Sequence, residues 1–153
     1  MKILMVCLGN ICRSPLAEGI LQSKVQREKV RVDSAGTAGY HVGHLPDDRS
    51  IAVAQKHGID ISHQRCRKFT VDDFDYFNLI YVMDQGNYQE VLALARDKYD
   101  KEKVQFILNE VHPNSNQSVP DPYFGGDSGF DNVYQMLDEA CELIASKIEN
   151  NEG

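Results

Sequence analysis

The feature that most constrains this chain is its first strand-like run. Residues Lys2 to Cys7 read KILMVC, apolar nearly throughout, and the run stops abruptly at Gly9 and Asn10 before a helical pattern begins. A strand without a polar face has both sides covered, as in a parallel sheet between helices. Three further runs read the same way: VRVDSA (Val30 to Ala35), NLIYVMD (Asn78 to Asp84) and KVQFIL (Lys103 to Leu108). Helical signals separate them. Ser14 followed by Pro15 predicts an N-cap with proline at the first helical position, and Leu16, Ile20, Leu21 and Val25 then recur at helical spacing. A second helix is expected from about Asp48 to His57, stopping at Gly58, and Thr70 with Asp73 predicts a capping box over a short turn. Another helix is expected from about Tyr88 to Ala95. The last is the clearest, because Phe130, Val133, Leu137, Ala140, Ile144 and Ile148 share one face. Strands alternating with helices imply right-handed crossovers. The expected fold is therefore α/β, one doubly wound domain over residues 1–153, with a four-stranded parallel sheet flanked by helices on both faces.

Composition removes several classes. Apolar residues make up 42% and charged residues 25% of the 153, a balance that opposes disorder. No segment approaches the roughly 20 apolar residues of a membrane span, and the apolar start is too short for a signal peptide, so no membrane partner and a cytoplasmic location are expected. The net charge of −7 opposes nucleic-acid binding, which needs basic surface. Four cysteines without an export signal suggest a reducing compartment, where a thiol near a loop is either reactive or simply buried.

Sheets of this kind bind ligands beyond the carboxyl ends of their strands, and the loop VCLGNICRSP follows the end of the first. A strand, a turn and a helix N-terminus together aim backbone N–H groups and a positive dipole end at one point, an anion site. Gly9 allows close backbone approach, Asn10 tolerates positive φ, and Arg13 adds a planar fork of donors suited to phosphate oxygens. Five residues separate Cys7 from Arg13, which lets both face one bound group. In that setting the thiolate of Cys7 is favoured and becomes a nucleophile for phosphorus. Ser14 can give it a hydrogen bond, cap the helix, or do both. The plain alternative is that Cys7 ends a buried strand, Arg13 is solvated and Ser14 only caps. Nucleotide loops are excluded, since neither G-x-x-x-x-G-K-[ST] nor G-x-G-x-x-G occurs. Asp121 is a candidate proton donor: it lies in a loop after the fourth strand, between Pro120 and Pro122, and parallel topology puts it at the same sheet edge as Cys7. The alternative for an Asp beside proline is a turn residue.

The segment VCLGNICRSPLAE resembles the phosphate-binding loop of the low-molecular-weight protein tyrosine phosphatases, and the likeness extends in order through DSAGT (Asp33 to Thr37), MDQGN (Met83 to Asn87) and DPYFGG (Asp121 to Gly126). The resemblance implies a metal-independent, cofactor-free phosphatase acting on phosphotyrosine-containing proteins through a phosphocysteine. Cys7 would be the nucleophile, and Leu8, Gly9, Asn10, Ile11, Cys12, Arg13 and Ser14 would bind phosphate. Asp121 would be the acid and then the base. Tyr40 and Tyr123 would flank the substrate ring, with half-exposed packing tyrosines as the alternative. Ser34 and His63 would support the loop from behind; for His63 an exposed loop position is the alternative. Cys12 would be a redox partner of Cys7, or else a small space-filling residue.

Other motifs are set aside. GGDSGF is similar to a serine protease motif, but a helix follows it and Ser128 reads as a helix cap. His41 and His44 lack the cysteine or carboxylate cluster that would complete a metal site. Cys66 and Cys141 read as structural. Arsenate reductases of this scaffold need further cysteines in the middle of the chain, where Cys66 stands alone. Protein arginine phosphatases carry threonine where this chain has Ile11, so phosphoarginine remains a second reading, as does a phosphate-binding module without turnover.

Overall fold

The computed structural model describes residues 1–124 and 128–152. Gly125 and Gly126 of DPYFGG, Asp127 of GGDSGF, and Gly153 at the end of the expected domain lie outside the described residues.

Four parallel strands, β1 (Lys2–Cys7), β2 (Arg31–Gly36), β3 (Leu79–Val82) and β4 (Val104–Phe106), form one sheet in the order β2-β1-β3-β4. The alternating side chains of β1 explain its unbroken apolar run. Ile3, Met5 and Cys7 join one core; Leu4 and Val6 join another on the opposite face. Helices α1 (Arg13–Lys24), α2 (Asp48–Lys56) and α6 (Gly129–Glu152) supply the first core, where α1 packs on α6. The second holds Phe74 of the short helix α3 (Asp72–Tyr76) and Val91 of α4 (Gln85–Ala93). The six apolar positions expected on one face of the last helix are all buried. Among the described residues no helix is long and apolar enough to cross a membrane.

Several boundaries differ from expectation, each for a local reason. Ser14 does not cap α1: the helix starts at Arg13, Cys12 holds the cap position without a side-chain cap bond, and the Ser14 hydroxyl turns to other partners. Helix α4 starts at Gln85, three residues early, because Asp84 accepts from the Asn87 N–H at 2.8 Å. Only half of the expected capping box forms: Asp73 Oδ2 accepts from the Thr70 N–H at 2.9 Å, whereas the cap of α3 is Val71. After β4 the chain tightens into a 3₁₀ turn (Ile107–Glu110) rather than extending to Leu108. A short helix α5 (Lys98–Glu102) has no apolar period to announce it; the Asp97 side chain caps it, and Arg96 binds Asp100 and Asp75.

The chain passes from β1 to β2 on one side and later to β3 on the other, so the strand order reverses at the carboxyl end of β1. That crevice is where open α/β sheets place ligands.

Candidate active site

The loop from Cys7 to Arg13 occupies this reversal point, and its carbonyls are anchored from outside. Thr37 N–H donates to the Cys7 oxygen at 3.0 Å, Ala38 N–H to Leu8 at 2.9 Å, and Asp47 N–H to Ile11 at 2.8 Å. The Cys66 thiol reaches the Asn10 oxygen at 2.8 Å, and the Ser50 hydroxyl reaches that of Cys12 at 3.4 Å. In a trans peptide the C=O and the next N–H point opposite ways. Anchoring these five carbonyls outward therefore turns the N–H groups of Leu8, Gly9, Ile11, Cys12 and Arg13 toward the concave side. Asn10 makes the bend with φ of 58°. Close approach of β2 is also needed: a Cβ on Gly36 would lie 2.7 Å from the Leu8 oxygen and 3.0 Å from the Asn10 nitrogen.

Cys7 stands at the end of β1, 3% exposed, with its Sγ 3.0 Å from Ser14 Oγ. Asn10 Nδ2 donates to Ser14 Oγ at 2.8 Å and to Ser34 Oγ at 2.9 Å, and Ser34 donates to Glu18 Oε1 at 2.7 Å. Ser34 thus hydrogen-bonds the loop from behind, through Asn10. His63 does not. It is exposed, while its neighbour Gln64 takes the inward position and donates to the Pro15 carbonyl at 3.1 Å. Glu18 occupies the outer end of the network instead.

Arg13 is 6% exposed, and its Nη1 donates to Asp84 Oδ2 at 2.7 Å and to the Val119 carbonyl at 3.0 Å. Both bonds use one nitrogen. Among the described residues Nε and Nη2 make no hydrogen bond, which leaves a two-pronged edge of the kind in which guanidinium suits phosphate. Val119 also donates to the Met83 carbonyl at 2.7 Å, which ties the segment before Asp121 to the end of β3. Asp121 is thereby held at the same sheet edge as Cys7, half-buried, and its Oδ1 accepts from the Tyr123 N–H at 3.0 Å.

Tyr123 is partly exposed, and its hydroxyl donates to Asp47 Oδ2 at 2.7 Å. The Arg49 guanidinium lies 4.5 Å from its ring centre and 4.7 Å from that of Phe130. Tyr40 is 78% exposed and touches His41 edge-on. His41 and His44 have ring centres 6.0 Å apart. Among the described residues no group of three or more His, Cys, Asp or Glu side chains is arranged to hold a metal.

All four cysteines are free and buried. Burial, with Asp47 and Cys7 adding to it, pushes the Cys12 thiol up to about 12. Burial likewise pushes Cys66 up to about 11, which keeps the proton it gives to Asn10. Cys141 lies on the buried face of α6 with its Sγ 3.8 Å from the Ala17 carbonyl, a packing position.

Sequence reasoning left Asp84, Glu18 and Asp47 without roles. Signals existed for two of them. Asp84 is an N-cap type directly after a strand, which puts it at the Cys7 edge. Glu18 follows Ser14 by one helical turn and shares its side of α1.

The sequence matches the family model described as low molecular weight phosphotyrosine protein phosphatase over residues 2–152. It is 38% identical over 151 residues to the human low molecular weight phosphotyrosine protein phosphatase, covering 95% of this chain and 94% of that protein. A protein tyrosine phosphatase from Entamoeba histolytica has a similar structure, with a TM-score of 0.90, 38% identity, and coverage of 100% and 99%. An arginine phosphatase from Drosophila also superposes, with a TM-score of 0.86, 31% identity, and coverage of 97% and 98%.

Proposed function

The chain belongs to the low molecular weight phosphotyrosine protein phosphatase family, and from that premise we propose that, as one catalytic domain, it hydrolyses phosphotyrosine in proteins through a phosphocysteine, without metal or cofactor. The observation that supports this most is the conjunction at one sheet edge of Cys7, 3.0 Å from Ser14, with outward-anchored loop carbonyls and a buried arginine held through Nη1 by Asp84 and Val119. The Cys7 thiolate attacks phosphorus while the bond to the phenol oxygen breaks and Asp121 gives that oxygen its proton. The amides from Leu8 to Ser14 and the Arg13 fork hold the equatorial oxygens as charge develops. Water then attacks phosphorus, its proton passes to Asp121, the S–P bond breaks, and phosphate leaves with the thiolate restored.

Tyr123, fixed by Asp47, and Tyr40 on the rim would flank the substrate ring. Cys12 would serve as the redox partner of Cys7. The net charge of −7 favours protein rather than nucleic-acid partners, and four free cysteines favour a reducing compartment such as the cytoplasm.

Phosphate release from a phosphotyrosine peptide in EDTA, with Cys7→Ser beside the native chain, tests this reading. Release that vanishes in the variant is expected. Release from a phosphoarginine peptide alone would replace tyrosine by arginine, and peptide binding without any release would leave a binding module.

A further inference from the structure

A chain of hydrogen bonds runs from Cys7 to a second, solvent-open face, and beyond the Cys7–Ser14 contact the direction of each bond can be derived. The Arg67 backbone N–H, which can only donate, reaches Asn10 Oδ1 at 2.9 Å. That fixes the amide, so Nδ2 must serve both Ser14 and Ser34. Each serine oxygen accepts from Asn10 and keeps its own hydrogen to give. Ser34 gives its hydrogen to Glu18 Oε1; Ser14 Oγ lies 3.0 Å from Cys7 Sγ, to which it can give its hydrogen once that sulfur is a thiolate. At the far end, Glu18 lines an open groove of about 400 Å³ with Arg27, Arg31, Asp33, His63 and Arg65.

We propose that Glu18 is a positioning residue for the phosphatase reaction: by accepting from Ser34 it holds Asn10 and turns the Ser14 hydroxyl toward Cys7, so that its ionisation on the groove side sets the reactivity of the thiol. The proposal rests on Cys7 as the nucleophile. A protonated Glu18 keeps a carbonyl oxygen as acceptor but loses its charge, so the bond from Ser34 becomes a neutral one and weakens. The hold of Ser34 on Asn10, and through it the grip on Ser14, then loosens. Burial, foremost, pushes the Glu18 carboxyl up to about 7; Asp33 adds to this, while the Ser34 bond, Arg27 and Arg67 oppose it. The ionised form increases as pH rises through that value, and Cys7 reactivity rises with it. Arg31, His63 and Arg65 also line the groove, and His63 is the one histidine among its lining residues.

The test compares the native chain with Glu18→Gln, Glu18→Ala and His63→Gln from about pH 5.5 to about pH 8.5. Two quantities are read: kcat and KM on a phosphotyrosine peptide, and the rate at which iodoacetamide alkylates Cys7, followed by the mass of the Cys7 peptide. Alkylation is independent of turnover and of Asp121. A step near pH 7 is expected in both for the native chain and for His63→Gln. Glu18→Gln is neutral at every pH, so it should lose the step and stay near the low-pH level of the native chain. Glu18→Ala should lower kcat about tenfold with KM within about twofold. A step that persists in Glu18→Gln, or that vanishes in His63→Gln, overturns the proposal; so does Glu18→Ala with native alkylation and native kcat. Should Glu18→Ala not fold, the Glu18→Gln profile decides alone. A native chain that is alkylated at Cys7 but releases no phosphate would count against the catalytic reading, while the alkylation profiles would still decide the role of Glu18.

Discussion

Arg13 and Asp84 form a 2.7 Å ion pair between the start of α1 and the cap of α4, with the arginine nearly closed off from water. Asp84 performs two tasks with two oxygens: Oδ2 holds Arg13 and Oδ1 accepts from the Asn87 N–H. Removing it leaves a buried guanidinium short of its counter-charge and a helix without its cap. Asp84→Ala should therefore destabilise the chain by about 3 kcal/mol and lower kcat/KM at least about tenfold. Asp84→Asn keeps an acceptor for the cap and should lie between the two. Urea unfolding and steady-state kinetics read these effects, and native values for Asp84→Ala would remove the pair from any positioning role.

Asp121 reaches the Cys7 edge because Val119 is bound both to Met83 and to Arg13. As the proposed acid, it matters most when the leaving oxygen is basic. Asp121→Ala should slow release of a poor leaving group by about 10²-fold or more and that of an activated aryl phosphate far less. A series of aryl phosphates of graded phenol acidity measures this, and equal slowing across it would assign the acid elsewhere.

Cys12 holds its proton at neutral pH because burial pushes its thiol up to about 12. Peroxide should therefore attack Cys7 first, releasing hydroxide and forming a sulfenic acid; the Cys12 thiol then displaces water to close a disulfide. Intact mass should show a loss of two hydrogens, absent in Cys12→Ser, which should pass to irreversible oxidation faster. Irreversible oxidation at the native rate in that variant would exclude protection by Cys12.

The partly buried carboxyl of Glu18 also links stability to pH. Between about pH 4.5 and about pH 7 the folded chain retains a proton that the unfolded chain has released. Folding stability from this group thus falls as pH rises through that window and is level above it. Glu18→Gln carries no such burden, so its unfolding free energy relative to the native chain should rise between about pH 5 and about pH 8. A difference that stays constant over that range would show that Glu18 does not hold the proton.

The cysteine loop and the order of elements were readable because they rest on short-range physics. All four strands and the buried face of α6 follow from apolar periodicity, and the Cys7 loop from a glycine and an asparagine between a strand and a helix. Ser14 shows where such reasoning stops. Its residue type and the following proline satisfy the rule for a cap, yet its hydroxyl is claimed by Asn10 and Cys7 across the folded loop. His63 has the right type for a supporting residue, but Gln64 takes the inward place and leaves it exposed.

Strand, turn and helix patterns, each set by contacts a few residues apart, made the α/β order, the anion-seeking loop and the identity of its thiol and guanidinium a property of the sequence alone. The partners of those groups were decided by the tertiary structure. Arg13 meets Asp84 across 71 residues, and Val119 across 106, because parallel strands collect the ends of distant segments at one edge. Which acid then stands behind Ser34 depends on how side chains share a crowded interior, where each buried polar atom takes the nearest partner that the packing leaves within reach.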